Sequence, residues 1–248
     1  MPITPGSLAD DLASAVRGPE IFAAYQPQVS LESGSIVAAE ALCRWRHPRL
    51  GDIDPVAMID VAERTGVIHA LGRRMLDECL DTLAGWRETG RDWAVAVNVS
   101  PVQLEDESFP RHVAGELTRR ALAPGSLVLE LPHDVLPIAD GAAAQLRMLH
   151  EIGVEISLAG SDVEAPSLEL VRHVPVAEVK LPGPLVRAAE RGALASLRDE
   201  VEAAHAHGMR VVAEGVETLT HLDIAVELGC DRAQGFLIRQ PDSQIVFP

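Results

Sequence analysis

Short apolar runs alternate along this chain with longer segments whose apolar positions recur every three or four residues. The runs at 21–29, 36–45, 94–99, 127–131, 154–158, 177–181, 209–213 and 233–237 read as strands. The amphipathic segments at 55–69, 72–89, 102–122, 138–152, 167–173, 185–207 and 217–228 read as helices. Eight strands interleaved with helices point to an α/β fold, a TIM-like (β/α)8 barrel rather than an open sheet. Only Leu31-Glu32-Ser33-Gly34-Ser35 separates the first two runs. That is a hairpin-length turn, so the first strand is expected to be antiparallel. Residues 1–18 read as an N-terminal arm or helix, and 19–248 as the barrel domain.

In such barrels chemistry gathers at the C-terminal ends of the strands. Taken in order, those positions carry Gln26, Glu40, Asn98, Glu130, Ala159, Lys180, Glu214 and Gln234. Carboxylates, amides and one lysine suit a hard cation facing a phosphate. The competing reading is a set of relic packing and hydrogen-bonding groups. Ala159, followed by Gly160, is the exception, because neither has a side-chain oxygen.

Composition narrows the partners. Lys plus Arg number 21 against 37 Asp plus Glu, a net charge of −16. That charge repels polyanions and argues against a nucleic acid polymer. Aromatics make up 3%, with Tyr25 the single tyrosine, so stacking platforms are scarce. Cys43, Cys79 and Cys230 lie far apart with no zinc spacing and read as inert thiols. The first residues lack a signal-peptide pattern and no apolar run suits a bilayer span, so no membrane role and a cytoplasmic location are expected.

The motifs, in order, are Tyr25-Gln26-Pro27, Glu40-Ala41-Leu42 with Arg44-Trp45 and His47-Pro48, and Ala62-Glu63-Arg64-Thr65-Gly66. Then come Val97-Asn98-Val99-Ser100 with Gln103-Leu104, Leu129-Glu130-Leu131, Val179-Lys180-Leu181, Ala213-Glu214-Gly215-Val216-Glu217-Thr218, and Gln234-Gly235-Phe236. Their order and spacing over residues 20 to 241 resemble the EAL-domain family of cyclic di-GMP phosphodiesterases. The resemblance implies that Glu40, Asn98 and Glu130 ligate Mg²⁺ or Mn²⁺. It implies that Lys180 sits beside the attacking water and that Glu214 completes the metal and water shell, with linear pGpG as product. Glu40, Lys180 and Glu214 would then be the catalytic residues, relic or impaired here. Gln26, Leu42, Arg44 and Gln234 would border the ligand, Arg44 on a phosphate; its bland alternative is a structural ion pair.

The chain departs from that pattern at one place above all. Where the family has Asp-Asp-Phe-Gly-Thr-Gly after the fifth strand, Ala159 and Gly160 stand for the two aspartates, and Ser161, Asp162, Val163 and Glu164 follow. His133 stands for a second Glu after the fourth strand, and Pro182 for an Asp after the lysine. Asp162 starts up to ~10 Å beyond the strand end at ~3.3 Å per residue, a poor substitute ligand. Imidazole at His133 suits zinc or copper better than magnesium. Mg²⁺ or Mn²⁺ binding is therefore expected to be weak or absent.

Three functions remain. The favoured one is a degenerate, non-catalytic EAL domain acting as a cyclic di-GMP receptor or protein-interaction module. The second is a weak Mg²⁺- or Mn²⁺-dependent phosphodiesterase. The third is a protein scaffold with no nucleotide role. A protein partner is open to the first and third, and a homodimer to all. Elsewhere, Glu217 is expected to cap or pair near the last helix, His205 and His207 to be solvated, and Trp86 and Trp93 to be core.

Overall fold

The computed structural model describes residues 5–132, 140–160, 174–190 and 194–243. Eight strands close a ring: β1 (Ile21–Ser30), β2 (Ile36–His47), β4 (Ala94–Asn98), β5 (Leu127–Pro132), β6 (Glu155–Ala159), β7 (Glu178–Leu181), β8 (Arg210–Ala213) and β9 (Arg232–Ala233). β1 is antiparallel to both neighbours, β2 and β9, and the other neighbouring pairs in the ring are parallel. This is the expected α/β barrel with an antiparallel first strand. The short β3 (Gly51–Ile53) hangs on the outer end of β2. Its three residues carry one apolar side chain, too little pattern to read. The turn before it is made by His47, whose Nδ1 accepts from the backbone N–H of Arg49 and Leu50.

The helices are α1 (Pro5–Ala15), α2 (Pro55–Thr65), α3 (Ile68–Glu88), α4 (Phe109–Arg119), α5 (Asp140–Glu151), α6 (Gly183–Ala188), α7 (Leu194–Ala206) and α8 (Leu219–Leu228). Leu12 and Ala15 of α1 are buried in the common core, so this helix is packed on the barrel. α2 starts at Asp54, whose carboxylate accepts from Ala57 N–H, and stops at Gly66 with φ 75°. That stop lies before the expected end at 69. α3 then begins at Ile68 rather than 72, with Gly72 inside it. A Cβ on Gly72 would lie 2.0 Å from Gln103 Nε2, so the buried Gln103 side chain packs against bare backbone and would have to shift to admit a larger residue.

The single helix expected over 102–122 is divided. Residues Pro101–Glu105 form a 3₁₀ turn closed by a reciprocal cap between Ser100 and Gln103. Asp106 then takes up extended backbone and accepts from Ser108 N–H and Oγ, which ends the turn before α4 starts. The segment expected over 185–207 is also two helices, α6 and α7. The expected helix at 167–173 lies outside the described residues.

The last strand is shorter than the expected 233–237. After Gln234 the chain lies against Val216: a Cβ on Gly235 would be 2.2 Å from the Val216 carbonyl oxygen. Leu237 N–H donates to the same carbonyl. The chain therefore turns out of the sheet, leaving Phe236 exposed. Gly235→Ala is expected to cost about 3 kcal/mol in urea unfolding, because backbone on both sides must move.

The apolar core lies between the strands and the helices, with Met58, Leu71, Leu80 and Leu83 fully or almost fully buried. Trp86 is core as expected, edge-on to Tyr25 at 5.7 Å and to the half-buried Trp93 at 5.6 Å. Thr218, not Glu217, caps α8, its hydroxyl accepting from His221 N–H. A hydroxyl one residue closer to the helix reaches the free N–H groups better. His205 and His207 are exposed, His205 against Asp231 at 2.9 Å. The three cysteines are free, and burial pushes the Cys43 and Cys230 thiols up to about 12. Among the described residues no helix is long and apolar enough to cross a membrane.

Candidate functional site at the barrel mouth

Strand register gathers the predicted polar residues. Glu40 pairs with Ala96 on β4 and with Gln26 on β1, while Asn98 pairs with Glu130 and Ala159 with Lys180. Gln26 and Glu40 lie mid-strand rather than at strand ends. β1 runs opposite to the rest and β2 continues to His47, so register alone brings both to the level of the other residues. Glu214 follows β8. Gly215 (φ 60°) lets it do so: a Cβ there would lie 2.8 Å from Gly183 Cα, so only bare backbone allows the two strand exits to meet.

Lys180 is the centre. Its Nζ donates to Glu40 Oε2 at 2.7 Å, to Glu130 Oε1 and Oε2 at 2.7 and 2.8 Å, and lies 2.7 Å from Glu214 Oε1. Its side chain is 0% exposed. Asn98 Nδ2 donates to Glu40 Oε1 at 2.8 Å, and Gln234 Nε2 to Glu40 Oε2 at 2.8 Å. Gln234 Nε2 also donates to Gln26 Oε1 at 2.9 Å. Glu40 thus accepts from three donors while taking part in a buried ion pair.

The charges are unequal partners. Burial pushes the Glu40 carboxyl up, but Lys180, Asn98 and Gln234 outweigh it and hold the group below the usual carboxylate range. Burial and the neighbouring Glu40 charge push Glu130 well above that range, against the pull of Lys180. Burial opposes the charge on Lys180, yet Glu130, Glu214 and Glu40 keep it firmly protonated. Three carboxylates share one ammonium, so the cluster retains affinity for positive charge.

Among the described residues, Glu40, Glu130 and Glu214 are the group able to offer a metal three oxygens within 4.8 Å of one another. All are hard donors, which fits Mg²⁺ or Mn²⁺. The set ends at β6. Ala159 sits in register between Pro132 and Lys180, and Gly160 donates its N–H to the Lys180 carbonyl at 3.2 Å. His133, Asp162 and Glu164 lie outside the described residues.

Beside the cluster a cavity of about 520 Å³ opens between the barrel mouth, α2 and α3, with Leu42, Ile59, Met75 and Val99 among its walls. Arg44 stands on this wall, and its guanidinium donates to the Cys43 carbonyl at 3.0 Å. The bland alternative for it, an ion pair, does not occur among the described residues. Glu63, quoted among the motifs without a role, lines the cavity and accepts from Ser100 Oγ at 2.6 Å. The sequence reading overlooked Gln28, Glu178 and Arg232 inside the barrel. The signal was there: Gln28 and Arg232 each stand two residues from a predicted site residue and share its strand face.

Polar groups converging on one lysine at the mouth of a closed barrel stand where proteins of this architecture hold their small ligands. Residues 9–241 match the EAL domain family, and the chain belongs to it. It is 32% identical over 238 residues to the bifunctional diguanylate cyclase/cyclic di-GMP phosphodiesterase MucR of Pseudomonas aeruginosa, spanning 94% of this chain and 35% of that protein. It is 30% identical over 236 residues to the cyclic di-GMP phosphodiesterase RocR of the same species, spanning 93% and 60%. The chain thus spans about a third of the first relative's length. The solved structure of the MucR phosphodiesterase in complex with cyclic di-GMP superposes with a TM-score of 0.87 at 31% identity, over 95% of this chain and 97% of that one. The FimX EAL domain of Pseudomonas aeruginosa, bound to cyclic di-GMP, gives 0.88 at 18% identity over 98% and 99%, a likeness of fold alone.

Proposed function

We propose that this chain binds cyclic di-GMP at its barrel mouth without hydrolysing it, acting as a receptor or protein-interaction module in cyclic di-GMP signalling. One observation carries this reading: the ring of oxygen donors is interrupted at Ala159 and Gly160, while the ligand-facing wall beside it remains. Leu42 and Arg44 supply that wall, while Gln26 and Gln234 lie buried beside the cluster and hydrogen-bonded to each other rather than on the cavity surface. Arg44 offers a planar cation to a phosphate, which a chain of net charge −16 must otherwise repel at a distance. The cavity volume lies in the range of small-ligand sites.

A divalent metal, if held, would be held by Glu40, Glu130 and Glu214 with Asn98 beside them. It would supply a more acidic bound water and neutralise a phosphodiester oxygen. This chain's own residues do the rest. Lys180 keeps a proton-rich, positive centre among the carboxylates, Asn98 and Gln234 fix the Glu40 carboxylate, and Leu42 lines the cavity beside them. The three-carboxylate cluster favours the second reading, a weak Mg²⁺- or Mn²⁺-dependent phosphodiesterase. Incubation with cyclic di-GMP and Mn²⁺ separates the two. The receptor reading expects no linear pGpG above background. Product that vanishes in Glu40→Ala would replace it with the second.

A further inference from the structure

The barrel interior holds a second polar group below the site. Glu178, 1% exposed, accepts from Ser157 Oγ at 3.1 Å, from Arg232 Nη1 at 3.0 Å and from Arg210 Nε at 3.4 Å. Arg210 also pairs with Glu155. Arg232 Nη1 reaches on to Gln28 Oε1 at 3.4 Å. Gln28 is itself 1% exposed, and its Nε2 donates to Gln234 Oε1 at 3.1 Å. Gln234 then donates to Glu40, and Gln26 passes its own Nε2 to the Arg239 carbonyl at 3.2 Å.

The direction of this chain of bonds is fixed at both ends. A guanidinium only donates, and an ionised carboxylate only accepts. Arg232 therefore makes the Gln28 oxygen face it, which turns the Gln28 amide nitrogen to Gln234. That nitrogen in turn holds the Gln234 oxygen, leaving the Gln234 amide nitrogen for Glu40. Reversing either amide would set donor against donor or acceptor against acceptor in a buried space, which destabilises the fold.

We infer that Gln28 and Arg232 are positioning residues for Glu40, acting through Gln234 by a hydrogen-bond relay of fixed direction. Gln28→Glu tests this. A carboxylate at position 28 cannot donate, so Gln234 must turn its nitrogen toward residue 28 and its oxygen toward Glu40. Arg232 gains a carboxylate partner, which offsets part of the cost of the reversed Gln234 amide, so the melting temperature should fall while the chain still unfolds cooperatively. In protein labelled with ¹⁵N-glutamine, the Gln234 side-chain amide signal, slowly exchanging in the parent, should shift and lose its protection. Gln28→Met removes a bond without reversing direction; it should lower the melting temperature and leave that signal in place. A merely structural Gln28 predicts an unchanged Gln234 signal in Gln28→Glu, and that result would overturn the relay.

Cyclic di-GMP affinity should fall about tenfold or more in Gln28→Glu, the usual scale for losing an outer partner of a site residue. This last readout rests on the proposed function. A shifted Gln234 signal with unchanged affinity supports the relay and shows that Glu40 does not set the affinity, whereas no binding by the parent counts against the proposed function and leaves the relay standing.

Discussion

Lys180→Met is expected to destabilise the chain by about 3–5 kcal/mol at pH 8, the scale for stripping one partner from a buried ion pair. The ammonium is the counter-charge shared by Glu40 and Glu130, both almost fully buried, and by Glu214 beside them. A methionine fills the volume and leaves the carboxylates facing each other. Both buried groups would then sit above the ordinary carboxylate range, as Glu130 already does with the lysine present. A group whose folded pKa is raised contributes stability at low pH and loses it as pH rises through that value. The penalty should therefore shrink at pH 5. Adding Glu130→Gln should recover part of it at pH 8, because one buried charge is gone. Urea unfolding of the parent and both variants at the two pH values measures this. Equal losses at pH 5 and pH 8, or no gain from Glu130→Gln, would contradict the charge account of the cluster.

Restoring the missing oxygens should change activity most. Ala159 lines the same cavity as Glu40 and Asn98 and stands in register with Lys180. Ala159→Asp together with Gly160→Asp would set carboxylates at the gap in the donor ring. Mn²⁺-dependent formation of pGpG is expected to rise by about 10²-fold or more over the parent, corresponding to about 2.7 kcal/mol or more of transition-state stabilisation. The gain should vanish with Glu40→Ala. A double variant with tighter Mn²⁺ binding but no turnover would place the loss in the following loop rather than in the two side chains.

Much of this arrangement was legible in the chain because strand runs here are short, branched and sharply bounded. β4, β5 and β7 match the expected runs to within a residue or two. Periodicity failed where local backbone chemistry outweighed it. Gly66 ends α2 through a left-handed cap, and Asp106 ends a 3₁₀ turn, although apolar spacing continues through both. β9 fell short because Gly235 is pinned on Val216, a contact no local pattern encodes. The residues at the barrel mouth could be picked out one by one, but their meeting at Lys180 depends on register across several strands. Gln28 and Arg232 escaped for the same reason, since each looks like an ordinary polar residue until the barrel closes over it.

The most direct test of the central claim is calorimetric titration with cyclic di-GMP, once in EDTA and once in Mg²⁺. The account predicts binding of similar affinity in both, with no linear product afterwards. Binding confined to Mg²⁺ and followed by pGpG would contradict it and make the chain a metal-dependent phosphodiesterase.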